Sequence, residues 1–351
     1  MPISRMSHLF EGKTLERPFL LFGCVGLGRT DPYVDPDTWM QEAAEDLASK
    51  AGLLRDREVF RPLCILCGYY GVHFVDRMFG AHMYELRERN NWQVAPLDQP
   101  IGRLEPPDLT TDETWALARR FAEAFLALGA SVPLFGLPTI ANALNIGVNL
   151  YGQELLMAFL ENPEAAHHDL RVINDVLCAM HRWYLGRTPM EQFQPLLPHT
   201  RCQPPGHGQL CGCSTQLPPP DLYAEFVAPL DDELLSVYPK GGMIHLCGTH
   251  AQHIPVWRGM KSLKAVQLND RAAEDLEVYW TGLRPDQVLY VNPCPGMPVE
   301  RILDITGGRR VVIIAETRQT TEEMVDEKFE ALDPWLPRPP FRLPWLHQRP
   351  L

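Results

Sequence analysis

Residues 241–255, GGMIHLCGTHAQHIP, place one cysteine and three histidines in a stretch that otherwise has the composition of a buried strand and its following turn. His245 and Cys247 are one residue apart, and alternate residues of a strand point to the same side of a sheet. The two side chains are therefore expected to share a face, with Gly248 ending the strand. Imidazole nitrogen and thiolate sulfur are both good zinc ligands, and a catalytic zinc keeps one coordination position open.

Other potential ligands also follow apolar runs. Cys211 and Cys213 end the run LCGC, and Cys294 ends VNPC. Glu316 follows VVIIA. If these strands are parallel, their carboxyl ends meet at one edge, where sulfur, nitrogen and carboxylate ligands become available to one site. The simpler alternative is that each residue only packs: free cysteine is common in protein cores, and Glu316 could cap the helix after it.

Four polar residues are expected to line a pocket beside this site. Tyr70 and His73 lie just past the apolar run PLCILCGYYGV, and Cys213 follows GQLC. Asn145 lies further along a predicted loop, PTIANALNIGVNLYG, and offers hydrogen bonds to a polar ligand. The sequence does not assign a catalytic role to any of the four.

Two further groups receive a structural interpretation. His250 and His253 follow the 241–247 run on its loop and first turn, where solvated histidines are common. Cys64 and Cys67 form a C-x-x-C pair. No second pair stands at zinc-ribbon spacing, and a strand would place the two thiols on opposite faces.

The elements that would position these residues alternate between apolar strands and capped helices. Helices are predicted over residues 36–52 and 110–129, the second with a capping box of Thr110 and Glu113, and another runs from an Asn162 cap to about Gly186. The predicted strands are PLCILCGYYGV, SVPLFGL, GQLCGCS, GMIHLC, KAVQLN, QVLYVNPC and RVVIIAET. Helices predicted between and after the later strands are PDLYAEFVAPLDDELLSVY, RAAEDLEVYWTGL and TTEEMVDEKFEAL. This alternation indicates an α/β fold whose parallel sheet is buried on both faces.

Seven or eight such units favour a closed (β/α)8 TIM barrel over two open sheets. We predict the barrel over residues 58–332, with residues 1–57 as an N-terminal extension packed against it and 333–351 as a proline-rich C-terminal tail.

Composition excludes several kinds of partner. The net charge is −12 and no run of Lys or Arg stands out, so neither nucleic acid nor an anionic membrane surface is expected as a partner. The apolar stretch PFLLFGCVGLG is too short to span a bilayer. No signal-peptide pattern is recognised, and we expect a cytoplasmic location. The glycine-rich nucleotide-binding motifs are not found, which argues against a nucleotide cofactor.

Several of these segments together are similar to a known family. STQLPPPDLYAEFVAPLDDELL, GGMIHLCGTHAQHIP and LKAVQLND resemble the second half of the uroporphyrinogen decarboxylase superfamily, in particular its cobalamin-dependent methyltransferase branch. NLYGQELLMAFLENPEAAHHDL is similar to a helix of the same superfamily, so the resemblance runs from roughly residue 60 to residue 330. It implies a (β/α)8 barrel, in agreement with the strand count.

The resemblance also implies a metal. In the methyltransferase branch a His-x-Cys pair and a third ligand late in the barrel hold a zinc ion, which implies His245 and Cys247 as the first two ligands. The family has a cysteine in a Gly-Cys context after the last strand, whereas this chain has IIAETR there. Glu316 is the positional match and Cys294 the nearest cysteine, and either could supply the third ligand.

The function implied is zinc-dependent methyl transfer between a corrinoid cofactor, cobalamin, and a thiol or other small molecule, in a direction left open. No corrinoid-binding Asp-x-His-x-x-Gly pattern is found, so the cobalamin is expected on a separate corrinoid protein. One alternative is a metal-free decarboxylase acting on a porphyrinogen, which would need several arginines near the start of the chain. FLLFGCVGLGRTDPY offers only Arg29 there. Another alternative is a non-catalytic barrel that binds a corrinoid or a partner protein.

Overall fold

A six-stranded parallel sheet is the main element of the computed structural model, which describes residues 2–16, 18–23, 26, 28–49, 70–86, 91–129, 141–190 and 201–316. The strand order is β1-β8-β7-β6-β5-β4. The strands are β1 (Phe19–Gly23), β4 (Gly208–Cys211), β5 (Gly242–Cys247), β6 (Leu263–Asn269), β7 (Val288–Val291) and β8 (Val311–Glu316). Two others, β2 (His82–Leu86) and β3 (Asn91–Ala95), form a separate antiparallel pair that the sequence analysis did not predict.

Helices separate the later strands, so the predicted α/β fold with a parallel sheet is confirmed. In the first half they are α1 (Pro2–Phe10), α2 (Pro36–Ser49), α3 (Phe74–Met78), α4 (Glu113–Ala127), α5 (Ala143–Tyr151), α6 (Gln153–Glu161) and α7 (Pro163–Leu185). In the second half they are α8 (Pro220–Leu222), α9 (Ala228–Ser236), α10 (Ile254–Gly259), α11 (Arg271–Glu274), α12 (Leu276–Gly282) and α13 (Val299–Thr306). A single π-helical turn, Tyr223–Val227, joins α8 to α9.

Closure of this sheet into a (β/α)8 barrel stays a prediction. The predicted strand SVPLFGL, most of PLCILCGYYGV, the helix TTEEMVDEKFEAL and the tail 333–351 lie outside the described residues. The sheet does continue beyond β4, because Ala141 forms a parallel bridge with Cys211. No helix in the described part of the chain is long and apolar enough to cross a membrane.

Both faces of the sheet are buried, as its apolar strands require. One face packs against the helices, and the other encloses a second apolar cluster. Met243 and Ala265 belong to this second cluster. His245 and Gln267 stand two residues further along the same strands, so they share its face. The candidate ligands on β5 therefore lie directly beyond a fully apolar layer.

The segment predicted as an N-terminal extension contributes to both the sheet and this inner cluster. Strand β1 pairs in parallel with β8, where Phe19 aligns with Val312. Met6 and Leu9 of α1 are buried in the same cluster as Tyr290. The described part of residues 1–57 thus supplies strand β1 and a helix whose apolar side chains pack in the inner cluster, and the predicted boundary at residue 58 stays a prediction.

Two local predictions need correction. Helix α4 begins at Glu113, and its cap is Asp112, whose side chain accepts a hydrogen bond of 2.6 Å from the backbone N–H of Trp115. A carboxylate directly before the helix reaches the free N–H groups of the first turn more easily than the predicted Thr110. The segment 138–152 was predicted as a loop, yet it contains helix α5.

Helix α5 forms because Asn142 caps it and its apolar side chains are buried. The Asn142 side chain accepts a hydrogen bond of 2.9 Å from the backbone N–H of Asn145. Leu144 and Leu150 are completely buried. The helix ends at Gly152, which has a positive φ of 63°. Gly147 and the two asparagines within the helix, Asn145 and Asn149, have low helix propensity, so local preference alone predicts a loop where packing enforces a helix.

Candidate metal centre

Three thiols and an imidazole meet at the carboxyl ends of two neighbouring strands. Cys211 ends β4 directly opposite His245 of β5, and Cys213 follows β4 by two residues. The ligand atoms of Cys211, Cys213 and His245 all lie within 4.8 Å of one another. The Cys211 and Cys213 sulfurs are 3.2 Å apart, and the Cys247 sulfur lies 3.1 Å from Nε2 of His245. The His-x-Cys pair therefore shares a face, and the C-x-C pair joins it.

The backbone after each strand explains why the four donors converge. Gly212 leaves β4 with its N–H donating to the carbonyl of His245 over 2.9 Å, and a 3₁₀ turn from Cys213 to Gln216 follows at once. Cys213 is thereby turned back toward β5. Gly248 ends β5 with a φ of 87°, and a Cβ at this position would lie 2.5 Å from Oε1 of Gln216. Only glycine fits this position without strain.

The orientation of His245 is set by the neighbouring strand. Its Nδ1 lies 2.8 Å from Oε1 of Gln267, while the Gln267 amide group donates to Oδ1 of Asn292 over 3.2 Å. Because the Gln267 oxygen can only accept, Nδ1 of His245 carries the proton. The lone pair of Nε2 then faces the thiols, which is the tautomer that a metal-ligating histidine requires.

Hydrogen bonds within the cluster stabilise negative charge on two of the sulfurs. The Cys213 thiol is within hydrogen-bonding reach of the Cys211 sulfur, 3.2 Å away, and of the Cys247 sulfur. These hydrogen bonds hold the pKa of Cys211 and of Cys247 below the usual thiol range, although burial opposes the effect. The pKa of Cys213 is raised by the same two hydrogen bonds. Negative charge on these sulfurs suits the cluster to a cation.

Amide groups support the two outer sulfurs. The Asn145 side-chain nitrogen lies 3.5 Å from the Cys211 sulfur, and that of Asn269 lies 3.5 Å from the Cys247 sulfur. The Asn145 oxygen accepts a hydrogen bond of 2.8 Å from the backbone N–H of Ser214. An amide that donates to a thiolate sulfur stabilises its charge and fixes its direction.

His250 and His253 are buried, contrary to the expectation of solvated loop residues. Both are completely buried. The His250 Nε2 donates to the carbonyl of Cys247 over 2.7 Å, and its Nδ1 lies 2.9 Å from the hydroxyl of Thr215. The His253 Nε2 donates to the carbonyl of Thr215 over 2.6 Å. Both rings thus connect the loop after β5 to the turn after β4, and burial lowers the pKa of His253 to about 4.

The two residues considered for the third ligand lie elsewhere along the sheet. Cys294 follows β7, where its backbone pairs with Met297. Its thiol is not among the donor atoms that come together in the described chain. Glu316 ends β8 opposite Gly23, and its side chain is outside what the structure describes. A ligand role for either residue stays a prediction, while Cys211 and Cys213 become candidates on geometry.

The remaining predicted pocket residues lie near the other end of α5. Tyr70 adopts a left-handed φ of 69° and packs edge-on against Trp92 with ring centroids 4.8 Å apart. His73 follows three residues later and lies 2.7 Å from a carboxylate oxygen of Asp76. Asn145 and Cys213, by contrast, are part of the thiol cluster itself.

Sequence reasoning missed Gln267 and Asn269, although a signal was present. In the strand LKAVQLN these two polar residues stand at alternating positions directly after the apolar Ala265 and Val266. In the register of the sheet Gln267 lies opposite His245, and Asn269 lies opposite Cys247. Two adjacent strands with matching polar positions indicate a shared site.

Comparison with known proteins gives a likeness of fold. No protein-family model matches the sequence, and no curated protein matches it significantly. The structure is similar to that of a methyltransferase from Methanosarcina mazei, with a TM-score of 0.64 and 12% sequence identity. The likeness covers 95% of this chain and 98% of the other. At this identity the chain shares the fold of a methyltransferase along nearly its whole length.

Proposed function

We propose that this protein is a zinc-dependent methyltransferase that moves a methyl group between a corrinoid, carried by a separate protein, and a small thiol. The observation that carries the proposal is the convergence of Cys211, Cys213, His245 and Cys247 at the carboxyl ends of β4 and β5. In parallel α/β folds this edge is where substrates bind. The likeness of fold to a methyltransferase supports the same reaction class.

The donor set fits zinc. Three of the four side chains suffice as protein ligands of a catalytic zinc, and soft sulfur with neutral imidazole is a donor set that suits this ion. Burial, the tautomer fixed by Gln267 and the lowered pKa of two thiols all favour ligation. When bound, zinc lowers the pKa of a coordinated substrate thiol, so that a thiolate nucleophile is available at neutral pH.

The protein's own residues orient and insulate this chemistry. Asn145 and Asn269 hold the outer sulfurs, and Gln267 holds the imidazole. The apolar layer below, which includes Met243 and Ala265, excludes water from the sheet side of the site. The substrate would approach from the opposite side, past the loops that follow the strands.

Metal analysis and a methyl-transfer assay test the proposal. The protein is reconstituted with zinc under reducing conditions, and bound zinc is measured by elemental analysis. Methylcobalamin and a panel of small thiols are then added, and demethylation is followed by visible absorbance. One zinc per chain with thiol-dependent demethylation is expected. Stoichiometric zinc without demethylation would favour a corrinoid-binding protein, and a chain that holds no zinc contradicts the proposal.

A further inference from the structure

A second polar cluster contacts the same helix, α5, as the thiol cluster and has no part in holding the sulfurs. Nδ1 of His73 lies 2.7 Å from Oδ2 of Asp76, and the side-chain nitrogen of Asn149 donates to the same oxygen over 2.8 Å. The Asp76 side chain is completely buried, whereas the His73 side chain keeps 13% of its surface exposed. The carboxylate is thus inside the protein and the ring lies at a surface.

The contact between the two residues fixes the tautomer of His73. A carboxylate oxygen accepts, so Nδ1 of His73 donates to Asp76 and Nε2 is left with a free lone pair. Burial raises the pKa of Asp76, although the hydrogen bond from His73 opposes this effect. The Oδ1 atom of Asp76 has no hydrogen-bond partner among the described residues. A buried carboxylate with so few partners gains most when the adjacent imidazole becomes positively charged.

Helix α5 links this pair to the thiol cluster. Asn149 contacts Asp76, and Asn145, four residues earlier on the same helix, contacts the Cys211 sulfur. Side chains four residues apart project from the same face of a helix, separated by a rise of about 6 Å. His73, 3.4 Å from the Asn149 side-chain nitrogen, and Cys211 therefore contact the same face of α5, at positions about one helical turn apart.

We propose that His73, oriented by Asp76, is the group that exchanges a proton with the thiol substrate. This role rests on the proposed methyltransferase function. In methylation, the S–H bond of the substrate breaks and its proton passes to Nε2 of His73. The sulfur forms a bond to the methyl group of the methylated corrinoid, whose bond to the methyl group breaks and leaves its electron pair on the corrinoid. In the reverse direction His73 returns the proton.

The test separates this role from metal binding and from folding. In H73N the amide nitrogen takes the place of Nδ1 and can still donate to Asp76, while the position of Nε2 is removed. D76N keeps His73 but removes the charge that orients it. H82N is the matched control, because His82 is exposed on the separate β2–β3 pair. Zinc content and thermal unfolding are measured for every protein before any other assay.

Proton release on thiol binding is the deciding measurement and needs no methyl donor. Zinc-loaded protein is mixed with 2-mercaptoethanol in lightly buffered solution containing phenol red, and released protons are counted per thiol bound. Cobalt-substituted protein gives the number of bound thiolates from its sulfur charge-transfer absorbance. Wild type and H82N are expected to release clearly fewer protons per bound thiol than H73N, which releases about one because nothing else retains the proton.

Methyl transfer provides a second measurement. H73N is expected to lower kcat by at least about 100-fold, the usual contribution of a general acid–base, with little change in KM for the thiol. For D76N, both the number of protons released per bound thiol and kcat are expected to lie between the values for wild type and H73N. Equal proton release by folded, zinc-loaded wild type and H73N would overturn the proposed role of His73. The proposed methyltransferase function would be unaffected by that result. If wild type binds no zinc or no thiol, both the proposed methyltransferase function and the role of His73 fail.

Discussion

Nδ1 of His245 lies 2.8 Å from Oε1 of Gln267, its direct neighbour across β5 and β6. Gln267 is held in turn by Asn292 at the end of β7. One row of side chains across three strands therefore decides which nitrogen of His245 faces the thiols.

Q267L is expected to weaken zinc binding about 10- to 100-fold, the usual loss when the group that orients a ligand is removed. The leucine fills a similar volume but cannot accept the Nδ1 proton. Zinc affinity is measured by competition with a chromophoric chelator. Q209L is the control, because Gln209 lies on the same side of β4 as Cys211, two residues before it. An unchanged affinity in Q267L would mean that the thiols alone fix the metal.

Single alanine substitutions identify the ligands. C213A and C211A each remove one of the four converging donors and are each expected to weaken zinc binding, because their sulfurs lie within 4.8 Å of the other donors. C294A is expected to retain it. C178A is the control for loss of a buried thiol, since Cys178 lies in α7, away from the cluster. Bound metal is measured after gel filtration. Zinc lost in C294A but kept in C211A would instead support the ligand predicted from the sequence.

Q209L is expected to raise the free energy of unfolding by about 1–3 kcal/mol. Gln209 is completely buried, and neither polar atom of its side chain has a hydrogen-bond partner among the described residues. Leucine removes this unpaired amide at nearly constant volume. Urea unfolding of metal-free protein measures the change. A loss of stability would show that the amide binds a group essential to the fold.

His181 is expected to make the protein sensitive to mild acid. Burial lowers its pKa from 6.5 to about 3. Because the folded-state value is the depressed one, its contribution to stability is complete above about pH 6.5 and is lost as pH falls toward 3. From pH 7.5 to 5.0 the loss is about 2 kcal/mol, at about 1.4 kcal/mol per pH unit below 6.5.

Between pH 7.5 and 5.0 the free energy of unfolding of H181N is expected to fall less than that of wild type, by about this amount. Asparagine keeps a polar atom near Tyr238 but does not titrate. H82N, at an exposed histidine, should follow the wild-type pH dependence. The free energy of unfolding at the two pH values gives the result, and an equal loss in wild type and H181N contradicts it.

L9A is expected to lower the free energy of unfolding by about 2–5 kcal/mol, the usual cost of a large cavity in a core. Leu9 is 2% exposed and packs in the inner cluster. V34A, at a residue 77% exposed, is the control and should change stability by less than about 0.5 kcal/mol. If L9A unfolds like wild type, α1 is a dispensable extension of the fold.

Periodic apolar strands made the α/β class predictable, because a sheet buried on both faces imposes its pattern on every strand. The shared face of His245 and Cys247 followed from alternation alone. The position of Cys213 beside Cys211 and His245 was not predictable in the same way. It depends on the turn at Gly212 and on the register between β4 and β5, which are decided by contacts between segments distant in sequence. Helix α5 escaped prediction because its stability comes from burial of Leu144 and Leu150 rather than from local propensity.

The pairing of β1 with β8 has a consequence for how the chain is made. Phe19 aligns with Val312, so about 290 residues must be synthesised between the two partners. At about 5–20 residues per second, β1 leaves the ribosome roughly 15–60 seconds before its partner exists. Through that interval an apolar strand edge, FLLFG, stays exposed in a growing chain. Holdase chaperones that bind nascent apolar segments would protect this edge, and slower translation would lengthen its exposure to aggregation.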